Sequence, residues 1–586
     1  MVGMAAQIVI LAIASLIASG VLVKHRRMLT YLATAGLMFE AQWLFLTLIN
    51  GTILRNIESG IVLLVGAAGL LAAWGSQWKR WRMPYREAGS GKRDAVVLAV
   101  MIPVLASAYL IWQFNGFFEH AWLTHGFFNG DTATFVALTQ RALHTDGLVS
   151  ENPFAGNGAL EYPTLLHAGW ATLWSGLGVG TNWLHFLPAM TYAQIFLTVP
   201  MFFLLWDVMQ TGKERSLLLP GLLVLYVLGL SWDNYVYPQS HFFLTGMFLL
   251  LGALLAQSWQ TGWRANPAQA ATGAGLAMVL LFSNAVTGTA AVAVKLIFDA
   301  LHAVKPKLAP VERLGWVIGV IFWATVFWFF TPGEGALGLV PGFSYTAAFE
   351  MGRMSAVLLL LGIGVYLGFE RQAYLSTAVV ALMGLAFVTF VFSTRNIVIE
   401  NASRFFYHAI LIGFPLMAQP LLRVYYWFKR EVMYSTRTLT QLTTTWGLAV
   451  LLMGVFLLPV GASVASTHDN LLFKDEQEVK TSTRQAMWWI EENTAPDAVV
   501  AASPDAPFAV PMFTGRALLR TNYWLSPGDD VLFDVNSAFA GDRQAQARVL
   551  AQSDYLLLQE EERELWEPME LDKVFDISAI VVYRTR

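Results

Sequence analysis

Cysteine is absent from all 586 residues, which excludes disulfides, thiolate nucleophiles and cysteine-ligated zinc or iron–sulfur centres and says nothing about redox compartment. Charge is scarce too: Asp, Glu, Lys and Arg make up 13% of the chain, with a formal net charge of −3. So small a balance points to neither nucleic acid nor an acidic partner, and leaves the position of each charge as the informative feature. There is no internal repeat and no low-complexity linker. What fills the chain is apolar, 56% of all residues, a fraction that with so little charge excludes an ordinary soluble globule.

Crossing a ~30 Å hydrocarbon core takes roughly 20 mostly apolar residues, because every backbone polar group must be bonded internally there. Such runs lie near 4–23, 28–50, 59–76, 94–113, 184–206, 215–231, 241–257, 267–283, 286–303, 312–331, 353–369, 374–393, 404–428 and 440–462. They predict a polytopic α-helical membrane protein of about fourteen spans. The first run precedes Lys24-His25-Arg26-Arg27, the reverse of a signal peptide's layout, and is expected to be a retained span. Cytoplasmic loops keep Lys and Arg, and alternate loops here carry them: Lys24 to Arg27, Lys79 through Arg93, Lys213 to Arg215, Arg264, Lys305 to Arg313, Arg371, and Arg423 to Arg437. The other set is nearly bare of them. This predicts a multi-pass protein of the plasma (inner) membrane, with the N-terminus, the 114–183 and 332–352 loops and everything after about 465 on the periplasmic face.

From His468 onward the composition is that of a soluble α/β domain: a helix ending in Gln485–Glu492, apolar strands at 498–502, 554–558 and 579–583, and a helix around 542–552. The chain thus divides into N-terminal transmembrane helices (1–93), a transmembrane module with a long outer loop (94–465) and an extracytoplasmic α/β domain (466–586).

The outer loop concentrates the chemistry. Asp131 opens an amphipathic stretch, Thr132 to His144, expected to lie in the interface with its apolar side in the headgroups. Asp131 suits a general base and equally suits the cap of that helix. Glu161-Tyr162-Pro163 opens a second helix, Thr164 to Leu177, with proline fitting its first turn. Glu161 can serve as a base, a hydroxyl ligand or a metal ligand, or simply place charge at a helix N-terminus. His120, His125, His144 and His167 surround these residues. They can hold a divalent metal with Asp131, although their spacing matches no metal signature, or make interfacial hydrogen bonds. No cofactor is called for otherwise. Asp233, Tyr237 and Gln239, in an outer turn, suit sugar hydroxyls as well as an aromatic belt. Ser283-Asn284 reads as a tight polar hairpin. Arg404, at the start of a late run on the face where arginine is scarce, can hold a phosphate bidentately, with His408 one turn on. Snorkelling or a pair with Glu400 explains Arg404 equally. Arg395 and Arg353 are secondary candidates, the latter with Glu350 three residues before it.

Gly130-Asp131 leading into a helix, Tyr162-Pro163 opening a second one, Arg404-Phe405 on a late span and the tail with Trp489–Thr494 and Thr514-Gly515-Arg516 resemble the GT-C superfamily of membrane glycosyltransferases. The likeness is to the branch of protein mannosyltransferases and the lipid A aminoarabinose transferase. Thr132 and Phe135 stand where that branch usually has a second carboxylate and a tyrosine, and three spans precede its usual first one. The resemblance implies a polyprenyl-phosphate-sugar donor, a glycan, lipid or protein acceptor hydroxyl, Asp131 as base, and Arg404 with His408 on the donor phosphate. Glu161, Tyr162, His167, Asp233, Tyr237 and Gln239 are the remaining substrate-binding candidates. The rival readings are a lipid-linked substrate flippase or transporter, a lipid-linked glycan ligase or polymerase, and a membrane scaffold. Transport places ionisable groups along a mid-span pathway; few charges lie near the middle of these runs, Glu40 being the clearest, with Asp207 near an end.

Overall fold

A computed structural model describes residues 2–22, 28–52, 59–81, 95–106, 131–145, 148–149, 151–156, 158–160, 164–178, 187–209, 218–230, 245–246, 249–252, 267–304, 310–330, 345–368, 373–392, 396–433, 443, 446–447, 450, 454, 457–463, 465, 481–504, 509–522, 526–566, 569, 571–577 and 579–585. Helices stand over most of the apolar runs: α1 (Val2–Leu22), α2 (Met28–Thr52), α3 (Ser59–Gly75) and α4 (Ala95–Ala106). After the outer loop come α7 (Leu187–Met209), α8 (Leu218–Gly229), α9 (Pro267–Ser283), α10 (Ala285–Ala303), α11 (Pro310–Phe330), α12 (Tyr345–Gly368), α13 (Ala373–Phe392) and α14 (Asn396–Met433). The expected runs at 241–257 and 440–462 lie mostly outside the described residues. Among the described residues, four helices are long and apolar enough to cross a membrane: Met28–Thr52, Ala189–Asp207, Val286–Ala303 and Arg404–Val424.

Two shorter helices belong to the outer loop, α5 (Asp131–Thr145) and α6 (Leu165–Gly176), with a two-stranded hairpin of β1 (Glu151–Asn152) and β2 (Gly158–Ala159) between them. Leu148, just before the hairpin, fills the space beside Gly51 at the C-terminal end of α2. The loop therefore sits over that end of the bundle.

The C-terminal stretch folds as helices around a mixed sheet. Its helices are α15 (Thr481–Asn493), α16 (Ala509–Thr514), α17 (Asp530–Phe539), α18 (Arg543–Gln552) and α19 (Arg563–Trp566). The strands β3 (Val499–Ala501), β4 (Ala517–Leu518), β5 (Tyr555–Gln559), β6 (Asp572–Ile577) and β7 (Ile580–Arg584) lie in the order β4-β3-β5-β7-β6. β3 runs parallel to both β4 and β5, and β7 is antiparallel to β5 and β6. β3, β5 and β7 fall on the three apolar runs, since strands buried on both faces need unbroken apolar sequence. Val500, Leu557 and Val582 point to one core with Ile490 and Met512, while Ala501, Leu556 and Val581 point to another with Val549 and Trp566.

Close backbone approach sets the bundle at the Asn284 hairpin. Asn284 caps α10 by accepting from the Thr287 amide at 3.0 Å, and Gly288 lies so close to α9 that a Cβ there would stand 2.3 Å from the Leu281 Cα. No side-chain rotation relieves a contact with backbone. Gly288→Ala is expected to destabilise the protein by about 1–3 kcal/mol. Gly275→Ala, where a Cβ meets nothing within 4 Å, is expected to cost nothing; thermal unfolding of the two variants in one detergent makes the comparison.

Candidate active site at the outer loop

Asp131 is the first residue of α5, so the carboxylate named from sequence starts the helix. One turn on, Phe135 meets the His167 ring at 5.5 Å. Thr139, a further turn along, bonds His167 Nδ1 through its hydroxyl at 3.2 Å. His167 is buried, 2% exposed, and therefore joins α5 to α6.

The helix α5 does not float in the interface as its amphipathic pattern predicts. Residues 134–142 are all buried, because polar side chains that seemed to face water are answered by the C-terminal stretch. Gln140 Nε2 donates to the Phe513 carbonyl at 3.3 Å. Arg141, 1% exposed, donates from Nη1 to the carbonyls of Pro496 at 2.5 Å and Gly515 at 3.2 Å, and from Nη2 to Glu151. Arg516 donates from Nη1 to His144 Nε2 at 3.3 Å. Its remaining donors reach the Thr494 hydroxyl and the carbonyls of Thr514, Glu491 and Thr494 at 2.7–3.1 Å. Val136 and Ala137 share a core with Ile490, Val500, Met512 and Leu518. Amphipathicity is a property of one helix, and it misleads where both faces of that helix are covered.

Arg404 was placed at the start of its helix by sequence, but α14 begins eight residues earlier, at Asn396, so Arg404 lies on the third turn. His408, one turn further, bonds the Arg404 carbonyl through Nδ1 at 2.5 Å. A carbonyl only accepts, so Nδ1 carries the proton and Nε2 accepts from the Thr287 hydroxyl at 3.2 Å. Both ring nitrogens are engaged, which makes His408 a brace for the Arg404 turn against the Asn284 hairpin. A Cβ on Gly246 would stand 3.9 Å from both Asn284 and Thr287. Its neighbour Thr245 lines a cavity of about 30 Å³ with Leu166, Trp170, Trp43, Phe39 and Glu40. Packing thus runs from the second turn of α5 through His167 and α6 to α9 and the Asn284 hairpin, and on to His408 and Arg404 of α14.

Glu161, Tyr162, Asp233, Tyr237 and Gln239 lie outside the described residues, as do His120, His125 and the side chain of Asp131. Among the described residues, no group of three or more His, Asp or Glu is placed to hold a metal ion.

The bundle holds more ionisable groups than its apolar runs suggest. Glu40 accepts from Gln194 between α2 and α7. Lys295 and Asp299, missed inside an apolar run, pair with each other on α10, with Lys295 5.5 Å from the Trp316 ring. Their i,i+4 spacing was the readable signal. The pair lies within α10, and Lys295 also faces Trp316 of α11.

No family model matches the chain, and no curated protein does. Among solved structures it is similar to the archaeal oligosaccharyltransferase AglB from Archaeoglobus fulgidus, in complex with an inhibitory peptide and a dolichol-phosphate, at 9% identity and a TM-score of 0.48, covering 80% of this chain and 70% of that one. It is also similar to ArnT from Cupriavidus metallidurans in the apo state, at 13% identity and a TM-score of 0.45, covering 83% of this chain and 97% of that one.

Burial, then the Arg516 and Arg141 guanidiniums, push His144 down to about 4. The unfolded chain binds a proton on this imidazole near 6.5 and the folded one does not until about 4, so stability contributed here is full above ~6.5 and is lost as pH falls toward 4. Discounted for partial exposure, the loss is about 1–2 kcal/mol. His144→Gln, whose carbonyl can accept from Arg516 without titrating, is expected to flatten that slope; thermal unfolding of both proteins from pH 7 to 4 measures it.

Proposed function

We propose that the chain is an integral membrane glycosyltransferase that moves a sugar from a polyprenyl-phosphate-linked donor to an acceptor hydroxyl of a glycan, lipid or protein at the outer face of the membrane. The observation that carries this reading is the contact path from α5, which begins at Asp131, to the braced turn of Arg404. It supports reading Asp131 and Arg404 as parts of one site, since the helices that carry them are joined by continuous packing. The donor's lipid stays in the bilayer and its phosphate and sugar lie at the interface, so no nucleotide-binding fold is needed.

In this mechanism the Asp131 carboxylate accepts the proton of the acceptor hydroxyl as that oxygen attacks the anomeric carbon. The bond from the anomeric carbon to the lipid phosphate breaks, and its electron pair leaves with the phosphate. Negative charge grows there, and the Arg404 guanidinium stabilises that charge more in the transition state than in the ground state. His408 contributes by fixing the Arg404 turn. A single displacement inverts the anomeric configuration. Glu161, Tyr162, His167, Asp233, Tyr237 and Gln239 are the proposed surroundings of the sugar, His167 acting by joining the two loop helices. About fourteen spans, with both termini and the C-terminal α/β domain outside, complete the proposal.

Transfer from a panel of radiolabelled polyprenyl-phosphate sugars to membrane acceptors tests it. The parent is expected to turn over with at least one donor, and Asp131→Asn to lose about 10²–10⁴-fold in kcat while still binding donor. Equal turnover by both would remove Asp131 from the mechanism and point to Glu161. No turnover with any donor would favour transport, read as movement of lipid-linked substrate in vesicles. Arg404→Gln is expected to lower kcat by about 10²–10³-fold.

A further inference from the structure

We propose that the C-terminal α/β unit is a positioning element for catalysis and that Arg141 is its positioning residue, holding the far end of the helix that presents Asp131. The proposal rests on the reading of Asp131 as base. The helix α5 belongs to two cores at once: Phe135 packs into the bundle, and Val136 and Ala137 pack into the C-terminal unit. Its orientation is therefore set jointly by two bodies, and neither can shift without straining the other.

The clamp is built on donors and acceptors that leave little play. Arg141 is 1% exposed and spans two separate carbonyls of the C-terminal unit, Pro496 and Gly515, and the loop carboxylate Glu151. A planar guanidinium bonded in three directions fixes both distance and angle, as a lysine ammonium does not. The approach is so close that it requires glycine. Gly515 has φ +67°, and a Cβ there would stand 2.6 Å from the His144 ring and 3.0 Å from the Gln140 carbonyl. The loop hairpin is tied to the same unit: the Gly156 amide donates to the Leu518 carbonyl at 2.7 Å, and the Leu518 amide to the Pro153 carbonyl at 2.8 Å.

Asp131 is ten residues from Arg141 on this helix, about 15 Å at 1.5 Å per residue. Over that arm a tilt of about 5° at the clamp displaces the first turn by more than ~1 Å, and misplacement on that scale lowers rates by about 10²-fold. Loosening the clamp should thus act on kcat more than on donor affinity, since the proposed phosphate contact at Arg404 stays on the bundle.

The test compares full-length Arg141→Ala and Gly515→Ala with Val549→Ala, a core truncation in the C-terminal unit away from the joint. Each is purified, and kcat and donor KM are measured per folded molecule, with hydrogen exchange of the amides at 132–139. Arg141→Ala and Gly515→Ala are expected to lose roughly 10- to 100-fold in kcat with a smaller change in donor KM, and with faster exchange in the first turns of α5. Val549→Ala is expected to lower Tm without either effect. Loss in all three variants alike, in proportion to Tm, would show a merely structural role and overturn the proposal. So would accelerated exchange in Arg141→Ala with kcat intact, or α5 exchange left as slow as in the parent. If Arg141→Lys restores folding without restoring kcat, the guanidinium geometry is confirmed as the active feature; full recovery of kcat by lysine would contradict it. An Asp131→Asn variant as active as the parent would instead locate the failure in the assignment of the base, since the exchange arm does not depend on it.

Discussion

A guanidinium that is almost wholly removed from water must have its donors answered, or the fold loses several kcal/mol. Arg141 answers with its two terminal nitrogens, Nη1 and Nη2, on acceptors drawn from residues 151, 496 and 515, and much of the molecule's organisation follows. The loop helix, the loop hairpin and the C-terminal unit become one assembly, seated on the end of α2 through Leu148 and Gly51. His144 shares the site with Arg141 and Arg516, and is kept neutral there by burial and by two neighbouring positive charges. Residues 134–142 of the helix that begins at Asp131 are consequently buried like a core element, although they belong to a loop. Rigid support of this kind is what places a reactive group to within a fraction of an ångström.

The bundle makes a matching arrangement on its own side. Gly288 lets α10 fold back against α9, Asn284 caps the new helix, and Thr287 reaches across to His408. His408 in turn bonds the carbonyl of Arg404. Lower in α10, Lys295 and Asp299 compensate each other's charge against Trp316 and Gly319. A hairpin capped at Asn284 and closed by the near approach of Gly288 to α9 gives the arginine turn a wall.

Much of this fold was legible because its signals are local. Apolar runs of span length located the helices, and unbroken apolar strings such as Val499 to Ala502 and Leu556 to Leu558 located the central strands. Asp131 was readable as the start of a helix because a carboxylate followed by an apolar period is a local pattern. The role of Arg141 was not, because its carbonyl acceptors lie more than 350 residues away in sequence and peptide carbonyls carry no side-chain signature. The same reason hid the brace on His408, whose hydroxyl partner is 121 residues distant. Lys295 and Asp299 were readable in principle from their i,i+4 spacing, and were passed over because the surrounding run is so apolar.

The arrangement stands or falls on which side of the membrane its parts share. Because the chain has no cysteine, single cysteines can be introduced at Thr52, at Gln544 on exposed α18 and at Ser76 beyond α3, all exposed positions, and labelled in intact cells with an impermeant maleimide. Labelling of Thr52→Cys and Gln544→Cys from outside, with Ser76→Cys reacting only after permeabilisation, is the predicted result. Gln544→Cys behaving like Ser76→Cys, and unlike Thr52→Cys, would separate the C-terminal unit from the outer loop and contradict the joint on which the account depends.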